Sequence, residues 1–212
     1  MKVAIIGSGN VGKALAGSAT KAGHKVTMAA NDPQHAEDAA KATNAAAAPS
    51  SKDAVKGADL VILAVPSKTV DDVVGSLADE LDGKVIIDVT NRLNMQEPAK
   101  AIDGTSMSEH IQERAPNAHV VKAFNYSFAS RMADPKVDGT NLDAYLAGDD
   151  MQAKEHVAEF ARSIGFRPID TGPIAMARAL EALAVLNVAL QVQHKWPWQS
   201  GWKLIGPTGD SV

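Results

Sequence analysis

The chain has 212 residues, 45% hydrophobic and 22% charged, with a formal net charge of -4 at pH 7, enough to bury a core and without the basic footprint a nucleic-acid binder needs. It contains no cysteine, which excludes disulfides, thiolate nucleophiles and Cys-based zinc sites. The opening "MKVAIIG" runs straight into glycines and reads as a strand and turn rather than a signal peptide. The apolar region over 179–190 is broken by Glu181 and Asn187 and reads as too short to span a bilayer. These readings place the protein in the cytoplasm, with neither nucleic acid nor membrane as partner.

Taken in chain order, the first half alternates strand-like and helix-like segments. "KVAIIG" (2–7) predicts a buried strand, and a helix follows over 10–22 with Val11, Ala14, Leu15 and Ser18 on its inner face. "HKVTMAA" predicts a second strand, and Asp32 with Pro33 predicts the N-cap and first position of the next helix. "NAAAAPSS" reads as a weak strand and loop. "ADLVILAV" (58–65) and "KVIIDV" (84–89) predict strands with the helix "KTVDDVVGSLADEL" between them. "HVVKAF" (119–124) and "LDAYLAG" (142–148) are expected to complete the sheet. Such βα alternation, with strands apolar on both faces, predicts a doubly wound parallel sheet of the Rossmann type.

From 174 to 192 the pattern is helical and apolar on nearly every side, so this short C-terminal helical segment must be covered, by the sheet edge or by a second subunit. A homodimer is the preferred reading. The chain thus divides into a dinucleotide-binding part, 1–170, and a helical segment with tail, 171–212.

"GSGNVG" matches G-x-G-x-x-G between a strand and a helix. Gly7 allows a tight turn, Gly9 lets the backbone approach a pyrophosphate, and Gly12 allows close helix–sheet packing, with the helix N-terminus turned to the phosphates. At the end of the second strand, where an acid would hold the ribose 2′-hydroxyl of NAD, stand Ala29 and Ala30, followed by Asn31 and Asp32. Asp32 reads as a helix cap and Asn31 as a donor to a 2′-phosphate, which favours NADP(H) over NAD(H).

No metal-ligand set and no Ser/His/Asp arrangement is visible, and the six histidines read as surface residues. Val65, Pro66, Thr90 and Asn91 end their strands where such a sheet places ligands. Lys122 is the best ionisable candidate for catalysis, against the plainer reading of an ion pair with a carboxylate such as Asp88. Hydride exchange between two flat rings needs geometry more than acid–base groups.

"KVAIIGSGNVGKALA", "ADLVILAVP", "VVKAFNYSFA" and "AGDDMQAKEHVAEFARSIGFRPIDTGPIAMARALE" together resemble the coenzyme F420-dependent NADP oxidoreductase family, to which the N-terminal NADPH-binding domain of membrane ferric reductases is related. The resemblance runs over essentially the whole chain, and "GWKLIGP" is similar to the family's closing segment. It implies a Rossmann domain, a dimer, and hydride transfer between NADPH and a second redox carrier, F420 or a flavin. By position, Ser8, Gly9, Asn10 and Val11 would bind the pyrophosphate, and Asn31 stands where family members commonly carry a 2′-phosphate-binding arginine. Ala64, Val65 and Pro66 would flank the nicotinamide, and Ala123, Phe124 and Asn125 would floor both rings, with Asn125 a second catalytic candidate. "KAFN" is more similar to the ferric-reductase branch.

Two other functions compete: reduction of a small carbonyl or imine with Lys122 or Tyr126 as acid, and a non-catalytic dinucleotide sensor. The three tryptophans, Trp196, Trp198 and Trp202, all fall in "KWPWQSGW". The plain reading is that they anchor the tail; the sharper one is that Trp198 and Trp202 wall the second substrate's pocket.

Overall fold

The computed structural model describes residues 1–93, 104–206 and 208. In chain order the elements are β1 (Lys2–Ile6), α1 (Asn10–Lys21), β2 (Lys25–Ala29), α2 (Pro33–Thr43), β3 (Ala46–Ala47), α3 (Ser51–Val55), β4 (Leu60–Leu63), α4 (Val70–Leu77) and β5 (Val85–Asp88). There follow α5 (Met107–Arg114), β6 (His119–Lys122), α6 (Ala129–Ala133), β7 (Lys136–Val137), β8 (Thr140–Asn141), β9 (Asp143–Leu146), α7 (Met151–Ser163), β10 (Arg167–Asp170) and α8 (Ala177–His194).

Six strands form one parallel sheet in the order β3-β2-β1-β4-β5-β6. Alternation along β1 explains why it is apolar throughout. Val3 and Ile5 join one core with Leu15 of α1 and Phe160 of α7, while Ala4 and Ile6 join a second with Val74 of α4 and Ile111 of α5. Helices cover both faces, as the unbroken apolar strands require. The chain order reverses between β1 and β4, which opens a crevice beyond their carboxyl ends.

Local chemistry fixes several helix starts. Asp32 accepts from the Gln34 amide with Pro33 at the first position of α2, and Ser106 and Glu109 form a reciprocal capping box on α5. The helix expected over 10–22 forms, with Gly12, Leu15, Ala16, Ser18 and Ala19 buried and Val11 and Ala14 half-buried.

Two expectations are corrected. "LDAYLAG" does not extend the main sheet: β9 pairs in parallel with β10, and only the isolated Lys122–Ala147 bridge joins this pair to β6. The other concerns the apolar region over 179–190, read as too short to span a bilayer: it is part of α8, which lies close to the helix expected over 174–192. Among the described residues the stretch Ile174–His194 is long and apolar enough, by length and composition, to cross a membrane. The two polar residues read as interruptions, Glu181 and Asn187, are ones that α8 buries, and with Gln191 they share its inner face with Ala177, Leu180 and Ala184.

Candidate functional site

The crevice between β1 and β4 is closed by backbone. A Cβ on Gly7, whose φ is +122°, would lie 2.2 Å from the Ala64 carbonyl oxygen, and one on Gly12 would lie 2.1 Å from that of Gly7. A side chain at Gly7 would push the ends of β1 and β4 apart, and one at Gly12 would force α1 off the sheet. Gly9 differs: its Cβ would meet nothing within 4 Å, so the space above it is open to a ligand. Gly9 is also the N-cap of α1, with no side-chain cap and no acidic residue in the first turn. The leading amides of α1 at Asn10 and Val11 therefore suit a phosphate, which brings the charge that their dipole favours. Ser8 is half-buried beside them, and Gly9 and Asn10 are exposed.

At the end of β2, Ala29 is buried and Asn31 exposed, and the Asp32 carboxylate is engaged as the cap of α2. A dinucleotide thus meets no free carboxylate at Asn31 itself. On the other side of the crevice Ala64 and Val65 are half-buried and Pro66 exposed, where the chain turns toward α4. These residues would suit a nicotinamide dinucleotide whose phosphates lie above Gly9.

The ends of β5 and β6 are held together by a buried ion network. Lys122 is wholly buried and spends its three ammonium protons on Asp88 Oδ2 at 2.9 Å, the Thr90 carbonyl at 2.7 Å and Glu181 Oε1 at 2.9 Å. Asp88 Oδ1 accepts from the Thr90 amide and hydroxyl, and Oδ2 from the Ser108 hydroxyl. Glu181 Oε1 also accepts from the Met107 amide, and Oε2 faces the Arg92 guanidinium at 3.5 Å. Two cations thus face two carboxylates, the arrangement a buried charge requires. Glu181 and Arg92 are partners that reading the sequence missed. The available signal was an acid inside an otherwise apolar helix, which costs too much to bury without a cation.

This network changes what several predicted residues can do. All three Lys122 protons are engaged, on Asp88, the Thr90 carbonyl and Glu181, the ion-pair arrangement that was the plainer reading of this residue. The Thr90 side chain turns inward to Asp88, and its amide and carbonyl are held by Asp88 and Lys122, so Thr90 shapes the strand end instead of offering a ligand a free polar group. Phe124 does not floor a pocket with its ring. Its φ is +61°, and its side chain is fully buried edge-on against Phe160 and Phe166. Ala123 is buried. Asn91 and Asn125 do meet: Asn91 Nδ2 donates to the Asn125 carbonyl at 2.6 Å, and Asn125 Nδ2 donates to Asn91 Oδ1 at 2.8 Å and to the Leu180 carbonyl at 2.9 Å. The Tyr126 hydroxyl donates to the Asp143 carbonyl and accepts from the Tyr145 amide, and burial holds its pKa well above the usual tyrosine value. It is placed to brace β9, not to protonate a substrate.

The tail returns along α8. Gln191 Oε1 accepts from the Trp198 amide, and Ser200 bridges Gln191 and Asn187, while Ser130 and Arg131 bond the Trp198 and Gln199 carbonyls. This pins the two aromatic candidates differently. Trp202 is half-buried against the cluster that includes Tyr126, Leu180 and Ala184, and its indole nitrogen is buried with no partner among the described residues. Trp198 is 45% exposed, has a φ of +57° and sets its ring edge-on to that of Phe128. Of "GWKLIGP", Pro207 lies outside the described residues.

A doubly wound sheet with a glycine turn at its switch point and an uncapped helix aimed across it defines a dinucleotide-binding fold of the Rossmann class. Residues 2–92 match the family described as NADP oxidoreductase, coenzyme F420-dependent. Among relatives, the F420-dependent NADP reductase of Methanocaldococcus jannaschii is 28% identical over 92% of this chain and 94% of its own length. Metalloreductase STEAP3 of Rattus norvegicus is 32% identical over 86% of this chain. The chain spans only 36% of that relative's length. A solved structure from Arthrobacter sp. FB24, provisionally described as an F420-dependent NADP reductase, superposes with a TM-score of 0.82 at 28% identity, covering 94% of this chain and 97% of that one. The family match thus lies in the first 92 residues, and the similarity to F420-dependent NADP reductases extends over nearly the whole chain.

Proposed function

We propose that the protein binds NADPH across the carboxyl ends of β1, β4, β5 and β6 and passes hydride to or from a second flat redox ring, a deazaflavin of the F420 type or a flavin. The observation that carries this reading is the crevice itself: two glycines sealed against backbone, one glycine open, and a helix N-terminus left without a cap. A reduced nicotinamide supplies the hydride when bound. The protein's part is to hold two rings face to face and keep water out, which is why it can dispense with an acid. Engagement of both Lys122 and Tyr126 inside the fold weighs against a carbonyl or imine reductase.

NADP(H) is the preferred cofactor because Ala29 and Ala30 leave the 2′-position without a carboxylate and Asn31 is exposed to donate to a phosphate. Trp202 walls the second pocket from the side of β9, and Trp198 lies further out. The working unit is a cytoplasmic homodimer joined through the outer face of α8, where Leu186 and Val192 are about half exposed.

The test is oxidation of NADPH and of NADH, each against F420, FMN and a ferric chelate. Reduction of F420 or FMN with NADPH favoured by tenfold or more is expected. Failure of all three acceptors would overturn the reading in favour of a sensor. Light scattering on the same sample reports the pairing, and a monomer at assay concentration rules out the dimer.

A further inference from the structure

Asn125 follows the end of β6 and is 5% exposed, yet no donor among the described residues reaches its Oδ1. Its orientation is not free to reverse. The Leu180 carbonyl can only accept, so the amide nitrogen must face α8 and Asn91, and the oxygen must face the other way. A buried acceptor without a donor costs stability, and such atoms concentrate where a ligand completes them. The preceding residue, Phe124, holds a left-handed backbone at φ +61° that a bulky residue adopts only when its surroundings enforce it. Here the Phe160 and Phe166 rings on one side and the Asn91–Asn125 pair on the other enforce it. The bonds to Asn91 and Leu180 set the direction of the Asn125 side chain.

The strand order decides which part of a dinucleotide meets this atom. With phosphates at the β1–β4 crevice, β2 and β3 fan out to one side and β5 and β6 to the other. Asn91 and Asn125 stand at the ends of β5 and β6, on the nicotinamide side. The donor that part carries is the carboxamide N–H₂.

We infer that Asn125 Oδ1 is the acceptor for the carboxamide of bound nicotinamide, and that this bond fixes which way the ring lies in its plane. The inference rests on the reading above that the cleft takes a nicotinamide dinucleotide. Asn91 acts through Asn125 as a positioning residue, and Leu180 ties the same amide to α8, so the ring's orientation depends on that helix being seated.

The test compares, by calorimetry, binding of NADPH and of its 3-acetylpyridine analogue, in which a methyl group replaces the amide nitrogen. Wild-type protein should bind the analogue about tenfold more weakly, the size of one lost hydrogen bond. In Asn125→Ala the two dissociation constants should fall within about twofold of each other. The ratio is diagnostic because general loosening of the strand end weakens both ligands alike. Asn125→Ser, too short to reach the carboxamide, serves the same comparison if the alanine variant does not fold. Equal binding of the two ligands by wild type, or an unchanged ratio in the variants, overturns the inference alone. Failure of wild type to bind NADPH overturns the functional reading and this one with it.

Discussion

The crevice at β1 and β4 and the seat of α8 on β5 and β6 do their work with opposite means. The first is built by removing side chains: Gly7 and Gly12 are glycine because backbone oxygens lie 2.2 Å and 2.1 Å from where a Cβ would be. The second is built by turning polar side chains inward from an apolar helix, with Glu181 on Lys122, Asn187 on the Tyr126 carbonyl and Gln191 on the Trp198 amide. A glycine turn tolerates nothing larger, whereas a polar seat tolerates change if every charge keeps a partner. Dinucleotide sites can therefore keep one backbone form while the helix above them varies the second pocket.

The contrast predicts that the largest loss comes from the first region. Gly12→Ala places a methyl group against the Gly7 carbonyl with no flexible neighbour to yield, and should cost about 3 kcal/mol or more. Urea denaturation should show a lowered midpoint, and dinucleotide binding should be lost even where the fold survives. A Gly12→Ala variant with full stability and NADPH affinity would mean that α1 can slide, and the comparison would break.

The seat of α8 should respond in steps. Lys122→Ala leaves Asp88 and Glu181 buried with only Arg92 to face them, and should cost about 3–5 kcal/mol. Glu181→Gln keeps an oxygen for the Met107 amide and leaves Lys122 with Asp88, so about 1 kcal/mol is expected. Equal losses in the two variants, measured by denaturant titration, would show that α8 is held by its apolar residues and not by the network.

Much of the first region could be read in the sequence, and little of the second. Gly7, Gly9 and Gly12 have a fixed spacing because one turn geometry demands it, and the alternation of β1 into two cores follows from its period of two. Asp32 and Pro33 announced α2 because capping is local in sequence. By contrast, Glu181 finds Lys122 across 59 residues and Asn125 finds Asn91 across 34, and no local pattern encodes such meetings. The inner face of α8 was hidden for a further reason. Periodicity assigns polar residues to the outside, and this helix reverses the rule by burying Glu181, Asn187 and Gln191 while Leu186 and Val192 face out. The position of β9 was misjudged because an apolar strand looks the same in either sheet.

The tryptophan pair gives the smallest effect and the finest discrimination within the second region. Trp202 packs on the buried cluster of Tyr126, Ala147, Ala177, Leu180 and Ala184, whereas Trp198 is 45% exposed with its ring edge-on to Phe128. Trp202→Ala should therefore destabilise by about 2 kcal/mol through lost apolar burial, and Trp198→Ala by less than about 1 kcal/mol. Trp202→Phe keeps most of that packing but removes the buried, unpartnered indole N–H. If that N–H serves the second substrate, Trp202→Phe should keep the denaturation midpoint and the NADPH affinity while raising the KM for the acceptor severalfold. If the ring is only an anchor, the KM should stay unchanged. The phenylalanine variant thus separates an indole that holds the tail from one that also reads the acceptor, a distinction that alanine, by loosening the tail, cannot make.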